Sequence, residues 1–288
     1  MMLENALPNV FARSIPKIQP ESSVSNAISI LLSVEGSVLP IESPANQTMD
    51  QSTEQRSHAR AISGYSIISR LVETDPKDYE GFLSAPCRRV ALTIGTVSYE
   101  RDDIQSLLHV FESSTFGYAS VESSSSSRSK MGGIILIRDL LPLFNEGILK
   151  SDLVVSDVAT SQVFGMPRDS SVKSILKEML NRKFRRVLMK RGEKSELVTE
   201  KEIMRYLFGE GKGRYDSSRL EELMKGKLDG EEASFLSVAR VHGGAPLREA
   251  ANVISKSKGH CALSDAGIIT PWDLIIKPWR LGQLSISK

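Results

Sequence analysis

Gly267-Ile268-Ile269-Thr270-Pro271-Trp272-Asp273 is the stretch on which the reading of this chain turns. A glycine and two isoleucines read as the end of a buried strand. Thr270 follows as a helix N-cap, with Pro271 at the first helical position and Asp273 at the third. N–H groups at such a helix start can bind an anion, and here a hydroxyl and a carboxylate stand beside them. Taken alone, Thr-x-x-Asp is close to a capping box, which serves only its own helix. Its recurrence along the chain gives it further meaning.

Four amphipathic helices are read from apolar residues at i, i+3, i+4 and i+7. They are carried by Val24-Ala27-Ile28-Leu31, Ile104-Leu107-Leu108-Phe111, Val172-Ile175-Leu176-Met179 and Leu247-Ala250-Ala251-Ile254. Polar or turn residues precede each one, as helix starts require. A strand-like run follows each: Val38–Ile41, Tyr118–Val121, Arg186–Met189 and Cys261–Leu263. A second strand then leads to a hydroxyl position or its replacement: Ser66, Leu136, Thr199 and Thr270. Three residues on stand Ser69, Asp139, Glu202 and Asp273, each opening a second helix. Pro142 falls early enough to make the second of these helices short or irregular. The distance from first helix to hydroxyl position shrinks from unit to unit, and the excess lies between the two strands. In the first unit it is the polar stretch 42–60, in the second the serine run 122–130. Such compositions read as loops, where insertion is tolerated. One insertion point in a shared framework marks a true repeat.

Composition sets the outer limits. The chain has 288 residues, 40% of them hydrophobic and 25% charged, with a formal net charge of +2. That is an ordinary globular composition, and so small a net charge points to no particular partner. Cys87 and Cys261 cannot build a disulfide framework or a structural zinc site. His58, His109, His242 and His260 show no ligand spacing, so no metal is expected. No apolar run approaches the ~20 residues of a membrane helix, and residues 1–13 lack a secretory pattern. A soluble, cytoplasmic protein is the expectation. No Ser-His-Asp or Cys-His arrangement can be argued, so no catalytic activity is expected either.

The repeated strand–helix–strand–strand–helix arrangement resembles the CBS domain, named for cystathionine β-synthase, in four copies over nearly the whole chain. The third copy carries the likeness in Val155–Thr160, Asp169–Val172 and Arg185–Leu188, and the fourth in its Gly-Ile-Ile-Thr-x-x-Asp motif. The resemblance implies an α+β fold of four βαββα units packed as two pseudo-twofold pairs. Residues 1–150 would hold the first pair, with repeats at about 10–72 and 82–146. Residues 151–288 would hold the second, with repeats at about 152–208 and 232–280. It further implies clefts for adenosine-containing ligands: AMP, ADP, ATP or S-adenosylmethionine. In that scheme the Thr or Ser hydroxyl meets phosphate and the Asp carboxylate accepts from ribose hydroxyls, a charge-assisted contact.

Carried onto this chain, Thr270 and Asp273 match in full. Asp139 matches, but Leu136 replaces the hydroxyl. Thr199 matches, while Glu202 is one methylene longer than the usual acceptor. Ser66 stands at the hydroxyl position of the first unit, and Ser69 removes the carboxylate. Arg185 and Arg186, in the basic run Arg182-Lys183-Phe184-Arg185-Arg186, would reach ligand phosphates from a neighbouring copy. The expected function is a stand-alone regulatory sensor that requires no cofactor, takes an adenine nucleotide or S-adenosylmethionine as regulatory ligand, and acts on an effector protein or through a homodimer. Two other readings stand beside it. One is a nucleic-acid-binding regulator that uses the Arg182–Arg191 surface. The other is a structural scaffold with empty clefts. The stretch 209–213 is glycine-rich without Walker spacing and reads as a connection.

Overall fold

The computed structural model describes residues 1–7, 15–34, 38–42, 59–114, 117–122, 133–191, 194–209, 216–228 and 235–287. The expected loops at 42–60 and 122–130 and the glycine-rich connection lie mostly outside these residues.

After a short helix α1 (Leu3–Ala6), unit 1 runs through α2 (Val24–Ser33), β1 (Val38–Pro40), β2 (Ala59–Ser63) and α3 (Gly64–Glu73). It continues with α4 (Tyr79–Ser84) and β3 (Leu92–Ile94). Unit 2 holds β4 (Thr96–Ser98), α5 (Ile104–Ser113), β5 (Tyr118–Glu122), β6 (Gly133–Leu136), a 3-10 turn at Ile137–Leu140, α6 (Pro142–Asn145) and β7 (Leu149–Lys150). Unit 3 consists of α7 (Val155–Val158), β8 (Gly165–Pro167), α8 (Val172–Asn181), β9 (Arg186–Arg191), β10 (Lys194–Thr199), α9 (Glu200–Phe208), α10 (Ser217–Lys225) and β11 (Leu236–Ser237). Unit 4 is β12 (Ala239–Arg240), α11 (Leu247–Lys256), β13 (Ala262–Ser264), β14 (Gly267–Ile269), α12 (Pro271–Arg280) and β15 (Ser285–Ile286).

The four first helices begin at the residues that the apolar period selects, and each has ten residues. Three are capped by side chains. Ser23 accepts from the Asn26 N–H at 3.1 Å, Asp103 from Ser106 at 2.9 Å and Ser171 from Ser174 at 3.2 Å. Each satisfies a donor that the helix itself leaves open. The Pro142 expectation also holds. Unit 2 replaces its second helix by the 3-10 turn and four residues of α6.

In units 2, 3 and 4 the lead strand runs parallel to the strand after the first helix, which pairs antiparallel with the next: β4-β5-β6, β8-β9-β10 and β12-β13-β14. Unit 1 keeps the parallel contact as a single bridge, Ile18 to Ile41. The links between units cross from one sheet to the next. β3 extends the sheet of unit 1 beside β2, and after Gly95 the chain enters the sheet of unit 2 as β4. β11 and β12 repeat this between units 3 and 4. The fold is therefore α+β, built from four βαββα units.

Two kinds of apolar layer hold the units together. The sheets of units 1 and 2 meet in a seam of Val38, Ala61, Ile94, Tyr118, Ile134 and Leu136. Those of units 3 and 4 meet through Leu188, Leu197 and Cys261. The larger layers lie on the helix sides. One joins α2 and α3 of unit 1 to α8 and α9 of unit 3, with Ile67, Ile68, Ile175 and Ile203 fully buried. The other joins the helices of units 2 and 4 through Phe111, Leu140, Leu247 and Ile275, and takes in Leu3 of α1.

Unit 1 corrects one expectation. Its second helix begins at Gly64, and its cap is Ser63, not Ser66. Ile67 and Ile68, which follow Ser66, are wholly buried helical residues. Ser63 is therefore the counterpart of Thr270, and Ser66 occupies the carboxylate position.

Candidate functional site

Each second helix starts where a strand ends, and in the four units these starts are chemically different. In unit 1, Ser63 Oγ accepts from the Ser66 N–H at 3.1 Å, and Ser66 Oγ accepts from the Ser63 N–H at 3.0 Å. Both side chains are buried and satisfied by each other. Ser69 only donates to the Ser66 carbonyl. In unit 2, Asp139 accepts from the Leu136 N–H at 2.9 Å, and no hydroxyl of its own helix start competes for it. In unit 3, Thr199 donates to Glu202, which also takes Arg205 Nη1 at 3.2 Å.

Unit 4, with the complete motif, puts it to internal use. Asp273 Oδ2 accepts from the Thr270 N–H at 2.8 Å and from the Thr270 hydroxyl at 2.7 Å. Its Oδ1 accepts from the Thr160 hydroxyl at 2.8 Å and meets Lys277 Nζ at 2.8 Å. A carboxylate offers about four acceptor positions, and protein donors take all of them. Lys277 also donates to the Val158 carbonyl at 2.6 Å and to Thr160 Oγ1 at 3.0 Å. Residues 158–160 are thus strapped to the start of α12. Thr160 and Ile268 exchange both backbone hydrogen bonds, at 2.9 and 3.0 Å. Gly267 lets this strap approach. Its φ is +141°, and a Cβ there would lie 2.2 Å from the Thr160 carbonyl oxygen.

A second constellation draws on all four units. Arg185, at the foot of β9, makes a two-pronged pair with Glu200, including Nε to Oε2 at 2.8 Å. Its guanidinium stands 4.8 Å from the centre of the Tyr118 ring of unit 2. Burial is the largest single influence and opposes the Arg185 charge, but Glu200 and Tyr118 together outweigh it, so the group is held more firmly cationic than usual. Arg186 donates to the Gly259 carbonyl at 2.8 Å, and burial lowers its pKa. Lys201 donates to the Val34 carbonyl of unit 1 at 2.9 Å. Tyr65, at the start of α3, has its pKa raised by burial and then by Glu200. His260 of unit 4, with φ +46°, is pushed down to about 4 by burial and then by the charges of Arg138, Arg186 and Lys201. Three cations from units 2 and 3 therefore act on one imidazole of unit 4. This junction is a partly buried positive field, able to hold a compact polyanion.

Of the residues expected from sequence, Arg185 and Arg186 lie in this junction, and Glu202 and Asp139 adjoin Lys201 and Arg138 in the chain. Thr270 and Asp273 are occupied by the strap. Arg138, Lys201, Tyr118 and His260 escaped the sequence reading. A signal for two of them was there. Tyr65, Arg138, Lys201 and Trp272 fill the same place, one before the carboxylate position, and two of the four are cations. The basic run itself is divided. Arg182 binds Glu178 at 3.1 Å and stacks 4.4 Å from the Phe164 ring centre, Lys183 is exposed, and Arg185 and Arg186 turn to the junction. The side chains of Lys190 and Arg191 lie outside the described residues.

Among the described residues no group of three His, Cys, Asp or Glu side chains could hold a metal ion, and no helix is long and apolar enough to cross a membrane. Cys87 and Cys261 are buried free thiols.

No family model and no curated protein matches this sequence. Solved structures do. Protein MJ1225 from Methanocaldococcus jannaschii, described as a suggested archaeal homologue of γ-AMPK, is 15% identical. It covers 96% of this chain and 99% of its own, with a TM-score of 0.75. The CBS-pair protein CBSX2 from Arabidopsis thaliana is 17% identical over 45% of this chain and 96% of its own, with a TM-score of 0.36. The CBS domain protein PAE2072 from Pyrobaculum aerophilum, solved with AMP, is 13% identical over 49% of this chain and 90% of its own, with a TM-score of 0.35.

Proposed function

The chain has the fold of a CBS-domain protein with four repeats, and from that premise we propose that it is a stand-alone regulatory protein that binds an adenosine-containing ligand. The observation that carries the proposal is the junction of Arg138, Arg185, Arg186 and Lys201 around His260. Several cations gathered at one place and partly desolvated make a local positive field that favours an anion. Phosphate oxygens suit guanidinium and ammonium donors. This favours AMP, ADP or ATP over S-adenosylmethionine, whose sulfonium would add another positive charge. The neighbour described as a suggested homologue of γ-AMPK agrees in direction with this reading.

In this proposal the phosphates lie against Arg185, Arg186 and Arg138, and the ribose lies at Asp139, beside Arg138. Thr199 and Glu202 flank the junction, and Ser66 is closed off by Ser63. Ribose at Thr270 and Asp273 would require the release of Lys277 and Thr160. The role is regulatory rather than catalytic, and its output passes to an effector protein or through self-association.

Titration calorimetry of the full chain with ATP, ADP, AMP, S-adenosylmethionine and tripolyphosphate tests the proposal. Nucleotide binding should weaken as salt rises, and Arg186→Met with Lys201→Met should reduce ATP affinity about ten- to a hundredfold. Equal affinity in this folded double variant would remove the junction from the reading. The same protein titrated with single-stranded RNA and duplex DNA tests the nucleic-acid alternative, for which the divided run leaves Lys183 as an exposed cation.

A further inference from the structure

The donor fork of Arg185 is already engaged. Its Nε donates to Glu200 Oε2 at 2.8 Å and its Nη2 to Glu200 Oε1, with the carboxylate side chain 6% exposed and the arginine side chain 24%. Arg186 and Lys201 donate instead to main-chain carbonyls, those of Gly259 and Val34. A guanidinium fork fits carboxylate and phosphate alike, two oxygens at a time. Glu200 therefore makes the contact that a phosphate would make.

The repeat itself does not need a carboxylate at this place. Glu200 is the first residue after the cap of a second helix, and the other units put Gly64, Ile137 and Pro271 there. A first helical position favours a negative charge through the open N–H groups and the helix dipole. A second helix start lies close by. A Cβ built on Gly64, which opens α3 of unit 1, would stand 3.5 Å from Glu200 Cγ and 3.8 Å from its carboxyl carbon. The side chain of Glu200 thus lies between the starts of α9 and α3, and the glycine leaves it the space of a methyl group. Tyr65, next to Gly64, has its pKa raised by burial first and then by this carboxylate.

These surroundings suit an exchange of partners. The Tyr118 ring covers the flat side of the Arg185 guanidinium, so its edge can change partners while the group stays in place. Glu200, once released, remains at two helix starts that favour its charge. Its helix continues through Ile203 and Met204 into the layer between units 1 and 3, so a change at the first residue of α9 bears on that contact.

We propose that Glu200 is a tethered competitor, which occupies the Arg185 fork until a ligand arrives and then yields it to the ligand's phosphates, turning towards the start of α3. This rests on the nucleotide reading above and deepens it by adding a built-in threshold. A site that must first expel its own carboxylate has its apparent affinity reduced by the fraction of time the fork is free. Multiply charged anions are thereby favoured over singly charged ones. The same exchange carries the signal, because α9 passes the displacement of Glu200 to unit 1.

Calorimetry with AMP, ATP and tripolyphosphate compares the full chain with Glu200→Gln, with the milder Glu200→Asp, and with Arg185→Met combined with Glu200→Gln. Circular dichroism checks that each is folded. Glu200→Gln keeps the shape and removes the charge, and should bind ATP and tripolyphosphate about tenfold more tightly. Glu200→Asp, one methylene shorter, should gain in the same direction by less, and decides the matter if Glu200→Gln does not fold. The gain should vanish in the variant that also lacks Arg185, whereas a gain from general loosening would not depend on Arg185. Affinity that holds or falls when Glu200 is replaced would overturn the competitor and leave the nucleotide reading standing, and a fall would make Glu200 a support that aims Arg185 at the ligand. A gain that persists without Arg185 would overturn it as well. If the wild-type protein binds none of the three, binding gained in Glu200→Gln supports the competitor, and no binding in any variant overturns both readings.

Discussion

Replacing Asp273 by alanine should cost stability and leave AMP affinity unchanged. The carboxylate is 5% exposed and receives two hydroxyls, one backbone N–H and the Lys277 ammonium. Losing its bond to the Thr270 N–H is comparable to losing a helix cap, about 0.5–2 kcal/mol. The Thr160 and Thr270 hydroxyls lose their acceptor, at about 0.5–1.5 kcal/mol each. Breaking a fully buried ion pair costs roughly 3–5 kcal/mol, but Lys277 is 35% exposed, and water screens the stranded ammonium. Its share is therefore small, and we expect about 3 kcal/mol in all, since neighbouring losses overlap. Urea unfolding at neutral pH reads this directly, and a fall in melting temperature of roughly 2–4 °C per kcal/mol accompanies it. Asp273→Ala with Lys277→Met should recover part of the loss, because no unpaired ammonium remains. A cost below about 1 kcal/mol, or no recovery in the double variant, would refute the strap. A ten- to hundredfold loss of AMP affinity, about 1.4–2.8 kcal/mol of binding, would return the ribose to Asp273.

Two further outcomes are expected. His260, at about 4 in the folded protein against 6.5 unperturbed, is neutral when folded but takes up a proton when unfolded below about pH 6.5. Its contribution to stability is complete above that pH and is lost as pH falls towards 4. A bound phosphate offsets Arg138, Arg186 and Lys201, so ATP binding near pH 5.5 should be accompanied by proton uptake at His260. Calorimetry in buffers of different ionisation heat measures the uptake, and its persistence in His260→Gln would disprove the assignment. Gly267→Ala meets both a strained φ and the Thr160 carbonyl oxygen, and should destabilise by roughly 1–3 kcal/mol. A neutral result in chemical unfolding would contradict the close approach of the strap.

The first helices were legible to the residue because their burial is periodic. Val24, Ile104, Val172 and Leu247 each open an apolar stripe directly after a turn or capping residue. The start of α3 was not, because Ser63 and Ser66, one helical turn apart, both look like caps. Periodicity reports that Ile175 is buried but not that its cover comes from unit 1. The junction was legible only in part. Arg185 and Arg186 stood out as a run, whereas Arg138, Lys201 and His260 are single residues far apart in sequence. Only the convergence of four units makes them neighbours. The complete motif of unit 4 hides its partners for a related reason. Its carboxylate has the right type and place for a ligand, but Lys277, one helical turn away, and Thr160, from the preceding unit, reach it first.

The two helix-side layers, which weld unit 1 to unit 3 and unit 2 to unit 4, bear on how this chain can change over generations. Two pairs held face to face would, as identical copies, place every residue twice and repeat each substitution across the symmetry axis. Joined as one polypeptide through residues 146–152, the same packing releases each corner from its twin. Unit 3 can carry Arg185 and Arg186 without unit 1 doing so, and unit 4 can give its carboxylate to a strap while unit 2 sets Asp139 beside a leucine in place of the hydroxyl. The covalent link thus turns a symmetric shell into four separately editable quarters around a shared centre.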